Sequence, residues 1–279
     1  MMNSVNRVPK KGIRARGTRV LGLASMLSMM ACGSQNGSTS TPEAESLRSS
    51  LKSHKVQLSA KQAQELEERG AKLEVIGDYG SFKLVQVDDK ALASLPEGAE
   101  VRDEFNDILL NAGKIDTMSE HGQSLRGMRQ DSNDKQAAAV KRFYLVQFAG
   151  PIQPEWYKAL EATGVKVVTY IPNNAYLVYG DGATLSALSS HITTKAGKTI
   201  QWDGEYLNDY KLNSLVQTTD SETFEVQLIK DEASNDETLA LIQSLQSKSG
   251  TIQEAYGYVN VHTYLTVPNL YQIAARPDV

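Results

Sequence analysis

Beyond position 50 the apolar residues fall into a pattern that recurs three times. Short strand-like cores appear at Val56-Gln57-Leu58, Val146-Gln147-Phe148 and Val226-Gln227-Leu228. In the later two copies apolar residues then follow at helical spacing: Trp156, Ala159, Leu160 and Thr163 in the second, and Leu241, Ile242 and Leu245 in the third. Helix starts are marked locally. Ser59 with Gln62 and Ser234 with Glu237 have capping-box spacing, and Pro154 suits a first helical turn. Gly70, Gly164 and Gly250 are expected to end these helices, because the position just past a helix end favours a positive φ that costs glycine little.

After each glycine the chain reads as an extended stretch, a tight turn and a second extended stretch. In the second copy Pro172-Asn173-Asn174 separates residues 165–171 from Ala175-Tyr176-Leu177-Val178-Tyr179. Proline fixes φ and asparagine tolerates unusual dihedrals, so the three residues predict a turn. The first copy turns at Gly77-Asp78-Tyr79-Gly80 and the third at Gly257; a short second helix follows near Leu92, Leu185 and Leu270. Two copies finish with a last strand, at residues 101–105 and 199–202. Strand, helix, strand, strand, helix, strand in units of ~55 to 70 residues is the split βαβ arrangement. The expectation is therefore an α+β chain of two to three ferredoxin-like βαββαβ modules in tandem, the last lacking its closing strand. The modules are 51–115, 143–212 and an incomplete 223–279, joined by polar linkers at 116–142 and 213–222. By this alignment the strand that closes the third module is expected from residues following Val279.

Ahead of the modules, Arg7, Lys10, Lys11, Arg14, Arg16 and Arg19 precede an apolar run at residues 20–31 with no acidic residue among them. This is the layout of a signal peptide, and the run is shorter than the ~20 residues a permanent bilayer-spanning helix needs. It ends in Met29-Met30-Ala31-Cys32-Gly33, which resembles a bacterial lipobox with Met29 where leucine is usual. Residues 1–31 are thus expected to be a signal peptide and Cys32 the lipidation site and new N-terminus. Residues 32–50, rich in Ser, Thr, Gly and Asn, read as a flexible tether. The implied localisation is an exported, membrane-anchored lipoprotein of the outer membrane or cell surface. An ordinary signal peptide cut near Cys32, leaving a free thiol, is the alternative.

Removal of the signal peptide changes the charge balance. It takes six basic residues and no acidic one from totals of 29 and 33, leaving 23 against 33 and a formal net charge of −10. Nucleic acid is excluded as a partner, since phosphate binding needs clustered Lys and Arg. Membrane attachment must then come from acyl chains rather than a basic surface. One cysteine and four histidines, His54, His121, His191 and His262, far apart in sequence, predict no metal site or other cofactor. Trp156 and Trp202 read as core residues rather than a ligand-stacking pair, and His121 as a solvated side chain. The acidic residues Asp231, Glu232, Asp236 and Glu237 read as a helix start. Pro172, Asn173 and Asn174 form the turn expected to be exposed and to contact a partner.

The second copy carries a resemblance. Tyr144-Leu145-Val146-Gln147-Phe148-Ala149-Gly150-Pro151, then Trp156, Gly164-Val165-Lys166-Val167, Tyr170-Ile171-Pro172-Asn173-Asn174-Ala175-Tyr176-Leu177-Val178, Gln201-Trp202-Asp203-Gly204 and Tyr210-Lys211-Leu212 come in order. Together they resemble the region upstream of the catalytic domain in secreted bacterial subtilisin-like serine peptidases. The resemblance implies a prosegment of the same βαββαβ topology, which assists folding of the catalytic domain and inhibits it until cleavage. It implies as partner a subtilisin-like catalytic domain in cis, or a protease in trans. The chain departs from that family where catalysis would require a match. Asp116-Thr117 is followed by Met118 rather than glycine, His121-Gly122 lacks the following threonine, and no Gly-Thr-Ser precedes a helix. No hydrolase activity is expected from this segment. The alternative is a free-standing surface lipoprotein that binds another protein through its repeated modules.

Overall fold

The computed structural model describes residues 53–127, 139–185, 187–188, 199–218 and 222–279. Module 1 runs β1 (Ser53–Leu58), α1 (Ala60–Glu68), β2 (Glu74–Asp78), β3 (Lys83–Asp88), α2 (Asp89–Leu92) and β4 (Glu100–Val101). The expected capping box starts α1, with Gln62 N donating to Ser59 Oγ and Ser59 N to Gln62 Oε1. Gly70 lies just past the helix end at φ 83°. Asp88 caps α2 by accepting from Ala91 N. The antiparallel sheet has the order β2-β3-β1-β4. Val56, Leu58, Val85 and Val87 project from one face onto Ala63 and Leu66 of α1 and Ala91 of α2. The closing ladder is short, Val56 opposite Val101 and Gln57 opposite Glu100. The strand expected to reach residue 105 turns instead into a 3-10 segment, Asp103–Asn106, which buries Phe105.

Residues 116–142, expected as a linker, begin with ordered structure. A hairpin of β5 (Asp107–Leu110) and β6 (Gly113–Asp116) leads into α3 (Glu120–Gly127). Asp116 shapes the turn before the helix by accepting from the amides of Met118 and Ser119, and Ser119 Oγ caps the helix start by accepting from Gly122 N. The polar composition misleads because only Ile108, Ile115 and Leu125 are needed to seat this element, and they bury against Leu145, Ile171, Ala175 and Trp202 of the next module.

Module 2 comprises β7 (Arg142–Phe148), α4 (Pro154–Glu161), β8 (Lys166–Ile171), β9 (Ala175–Gly180), a helical turn at residues 182–185 and β10 (Ile200–Glu205). Its sheet order, β10-β7-β9-β8, repeats that of module 1. Trp156 stacks on Phe148 in the helix-covered core, whereas Trp202 lies on the opposite face, donating Nε1–H to Gly122 O at 2.8 Å. The two tryptophans serve separate cores.

Module 3 contains β11 (Thr223–Ile229), α5 (Asn235–Leu245), β12 (Lys248–Ala255), β13 (Tyr258–Tyr264) and α6 (Val267–Ala274). Its order is β11-β13-β12, so the ferredoxin-like plan is present without the fourth strand among the described residues. Val226, Leu228, Val259 and Val261 pack against Ile242, Leu270 and Ile273. Two local expectations are corrected here. Ser234 makes no side-chain cap to α5; Asn235 Oδ1 accepts from Asp231 N instead. Gly250 does not end that helix, which stops at Gln246, but sits in β12 opposite β13, where the register slips between Lys248 and Thr251. An added Cβ would collide with His262 O, so glycine is required for close strand approach rather than for a positive φ.

Candidate functional site

The way the modules pack decides which surfaces remain for function. Module 1 turns its helix-free face toward module 2. Lys55 is 5% exposed and donates from Nζ to Gln201 Oε1 at 2.5 Å and to Phe105 O at 3.3 Å. Gln201 Nε2 reaches Phe105 O and Gln147 Oε1, the latter oxygen also accepting from Thr117 Oγ1, while Gln147 Nε2 donates to Asn173 O. The ammonium thus meets neutral oxygens only. Burial pushes Lys55 down to about 7 against the weaker opposing pull of Asp103 and Glu104. Neighbouring His54 bonds Asp103 and Asp89, which raise its pKa against the opposing effect of burial. Tyr79 Oη completes the joint by donating to Pro151 O.

A second polar network joins modules 2 and 3. Tyr179 Oη donates to Asp231 Oδ2 at 2.8 Å, and Lys141 approaches the other oxygen. From there Asn235 Nδ2 donates to Asp278 Oδ2 and Thr238 Oγ1 to Asp278 Oδ1, at 2.8 and 2.6 Å. Asp278 is fully buried, and its carbonyl accepts from Ile229 N at 2.8 Å. Phe143 and Tyr179 cover Ile229.

The open edge of β11 is the feature that this packing leaves. Its pairing to β13 can be read residue by residue. Lys230 N donates to Gly257 O and Leu265 N to Glu222 O. With Gln227 opposite Asn260 and Glu225 opposite His262, antiparallel alternation makes residues 224, 226 and 228 the bonded partners of β13. The N–H and C=O groups of Glu225 and Gln227 therefore point away from β13. They point into a cavity of about 560 Å³, walled on its far side by Phe143, Val168, Leu177 and Tyr206 and floored by Leu212, Leu270 and Ile273. Lys211 lines the cavity and donates Nζ–H to Ala274 O and Arg276 O. Burial lowers its pKa to about 8, Asp278 and Glu205 opposing and Arg142 assisting. Around the corner, the helix-free face of module 3 exposes Glu225, Gln227, Thr251, Gln253 and His262. The corresponding faces of the other two modules are covered by the chain itself.

Of the residues singled out from sequence, Cys32 lies outside the described residues. The turn Pro172-Asn173-Asn174 has only Pro172 exposed; Asn174 is 7% exposed and its carbonyl is taken by Phe148 N. The turn is thus anchored on the joint and is not an exposed contact loop. His121 is exposed on α3. Among the described residues no group of three His, Cys, Asp or Glu side chains can hold a metal ion, and no helix is long and apolar enough to cross a membrane. The sequence reading missed Lys55 and Asp278. A lysine beside an apolar strand core and an aspartate four residues past a helix carry no local signal of burial, because their burial depends on partners far away in sequence.

Residues 109–207 match a family described as a domain of unknown function, DUF8729. The matched span begins in β5 and ends just after β10, so it takes the hairpin and α3 together with module 2 as one unit. No curated protein matches the chain.

Proposed function

We propose that this chain is the exported, lipid-anchored N-terminal region of a subtilisin-like serine peptidase, acting as prosegment, folding assistant and inhibitor without catalytic residues of its own. One observation supports the reading above the others: the third module keeps a largely uncovered helix-free sheet face while modules 1 and 2 bury theirs within the chain. A prosegment needs such a surface to seat a separable partner. The polar and aromatic side chains there suit a non-obligate contact, whose polarity resembles that of ordinary surface. The partner is the catalytic domain in cis, or a protease in trans, and acyl chains on Cys32 hold the assembly at the membrane; no cofactor enters the reading.

The test is inhibition. Purified residues 33–279 are expected to slow peptide hydrolysis by a bacterial subtilisin-like peptidase and to raise its refolding yield. Thr251→Arg combined with His262→Asp, both on the open face, should abolish both effects while leaving the circular dichroism spectrum unchanged. Absence of both inhibition and improved refolding with the wild type would reject the prosegment role and leave the free-standing lipoprotein reading.

A further inference from the structure

We propose that Lys55 makes the joint between modules 1 and 2 a proton-operated clasp, which closes over the neutral amine and opens on the hinge at residues 102–106 when the amine takes up a proton. This is regulation within the chain, and it does not rest on the prosegment reading.

The surroundings of the amine give the clasp its charge sensitivity. Nζ reaches from β1 of module 1 to Gln201 Oε1 on β10 of module 2 and to Phe105 O in the connecting 3-10 segment. Behind Gln201 stand Gln147 and Thr117, which bond its amide, so module 2 brings neutral groups to this contact. Within the module 1 sheet Gln86 lies opposite Lys55 on β3. Two carboxylates stand close on the hinge, and both are engaged elsewhere. Asp103 accepts from the backbone N–H of Lys55 and bonds the ring of His54, whose other nitrogen meets Asp89. Glu104 pairs with the Arg102 guanidinium, which also meets Glu100. A protonated amine is therefore an ion without a counterion in a closed contact, and parting the modules is what lets water reach it.

The rest of the joint suits reversible separation. Module 1 has its own four-stranded sheet and its own core, so it can leave module 2 without unfolding. The other contacts described across the joint are neutral: Tyr79 Oη donates to Pro151 O, Gln153 Nε2 donates to Asp78 O, and Leu84 lies against Gly150. Tyr79 keeps its proton at neutral and weakly alkaline pH, since burial raises it to about 12. The hinge lies between β4 and β5, where a few element-terminal residues can absorb the motion, and it is tied to Lys55 itself, because Arg102 N donates to Lys55 O.

Linkage fixes the direction. Burial lowers the closed amine to about 7 from its ordinary 10.5, so between those values opening takes up a proton. The ratio of open to closed joint then rises about tenfold for each pH unit lowered and levels off below about pH 7. His54, raised chiefly by Asp103, acts in the opposite sense, but it is present in every variant below and cancels in their comparison.

The experiment is amide exchange on the mature protein, read as protection factors at Lys55, Arg102 and Phe105, whose amides are bonded at the hinge, and at Val226 and Leu228 in the β11–β13 ladder. Local opening gives the hinge amides lower protection than the ladder. In the wild type hinge protection should rise about tenfold per pH unit from pH 7 to 9 and stay level from pH 6 to 7. Lys55→Met should remove the rise. Lys55→Arg, cationic throughout, should also remove it and leave protection no higher than that of the wild type at pH 6. If Lys55→Met fails to fold, the arginine variant carries the comparison. A wild-type profile that parallels those of the variants would overturn the proposal. So would hinge protection equal to that of the ladder, because the joint would then open only when the whole chain unfolds.

Discussion

Lys55→Met should remove a pH dependence from the stability of the protein. The amine falls from 10.5 to about 7 on folding, so between those values the unfolded chain binds more protons than the folded one. Stability therefore rises with pH through this window, at up to ~1.4 kcal/mol per pH unit from this group. From about pH 7.5 to 9.5 the wild type should gain ~2–3 kcal/mol that the methionine variant does not. Lys211, also depressed, adds a similar slope to both proteins and cancels in the comparison. The upper limit avoids the tyrosines Tyr79, Tyr176, Tyr179, Tyr206 and Tyr210, whose raised values oppose the trend from about pH 10. Absolute stability near pH 7 is a poorer readout, because losing the ammonium relieves burial of a charge but leaves Gln201 Oε1 without its donor, a cost of ~1–3 kcal/mol. The assay is urea unfolding followed by tryptophan fluorescence at several pH values. Parallel curves for the two proteins would show that Lys55 stays charged and solvated, and that the joint between modules 1 and 2 is not closed over it.

Three further outcomes follow from the packing. Gly122→Ala should destabilise by ~1–3 kcal/mol and red-shift the emission of Trp202, because a Cβ there runs into the backbone of Asp116 and pushes α3 off module 2; an unshifted spectrum would contradict the cover described for that face. Asp278→Ala strips acceptors from Asn235 Nδ2 and Thr238 Oγ1, and a loss of ~2–4 kcal/mol is expected in denaturant unfolding, with faster amide exchange at Ile229. Cys32→Ser should move the mature protein from the detergent phase to the aqueous phase, since stable anchoring needs two acyl chains; unchanged partitioning would remove the lipidation assignment.

Much of the architecture was legible along the chain because it is set by neighbours in sequence. Three Val-Gln-apolar strand cores, a capping box at Ser59, prolines and glycines at turns, and the alternation of strand and helix spacing were enough to reach tandem ferredoxin-like modules with an unfinished third. These signals act over a few residues, where backbone dihedrals and first-turn hydrogen bonds are decided locally. The same locality explains the failures at Ser234 and Gly250. Asn235, held by Ile229 and Asp278, ties down the loop ahead of α5 by accepting from Asp231 N, with no side-chain cap from Ser234, and β13 pairing claimed the glycine.

Only the tertiary structure decided which faces are spent on internal packing. The polar stretch after Asp116 covers module 2, the Pro172-Asn173-Asn174 turn is pinned by Gln147 and Phe148, Lys55 is sealed under Gln201, and the edge of β11 stays open. Each outcome depends on contacts between residues tens of positions apart, as with Lys55 and Gln201 or Tyr179 and Asp231. Periodicity shows that a side chain can be buried but not against what. Whether a surface is buried or left to bind a partner depends on which module reaches it, and that is settled by the packing of whole modules against one another.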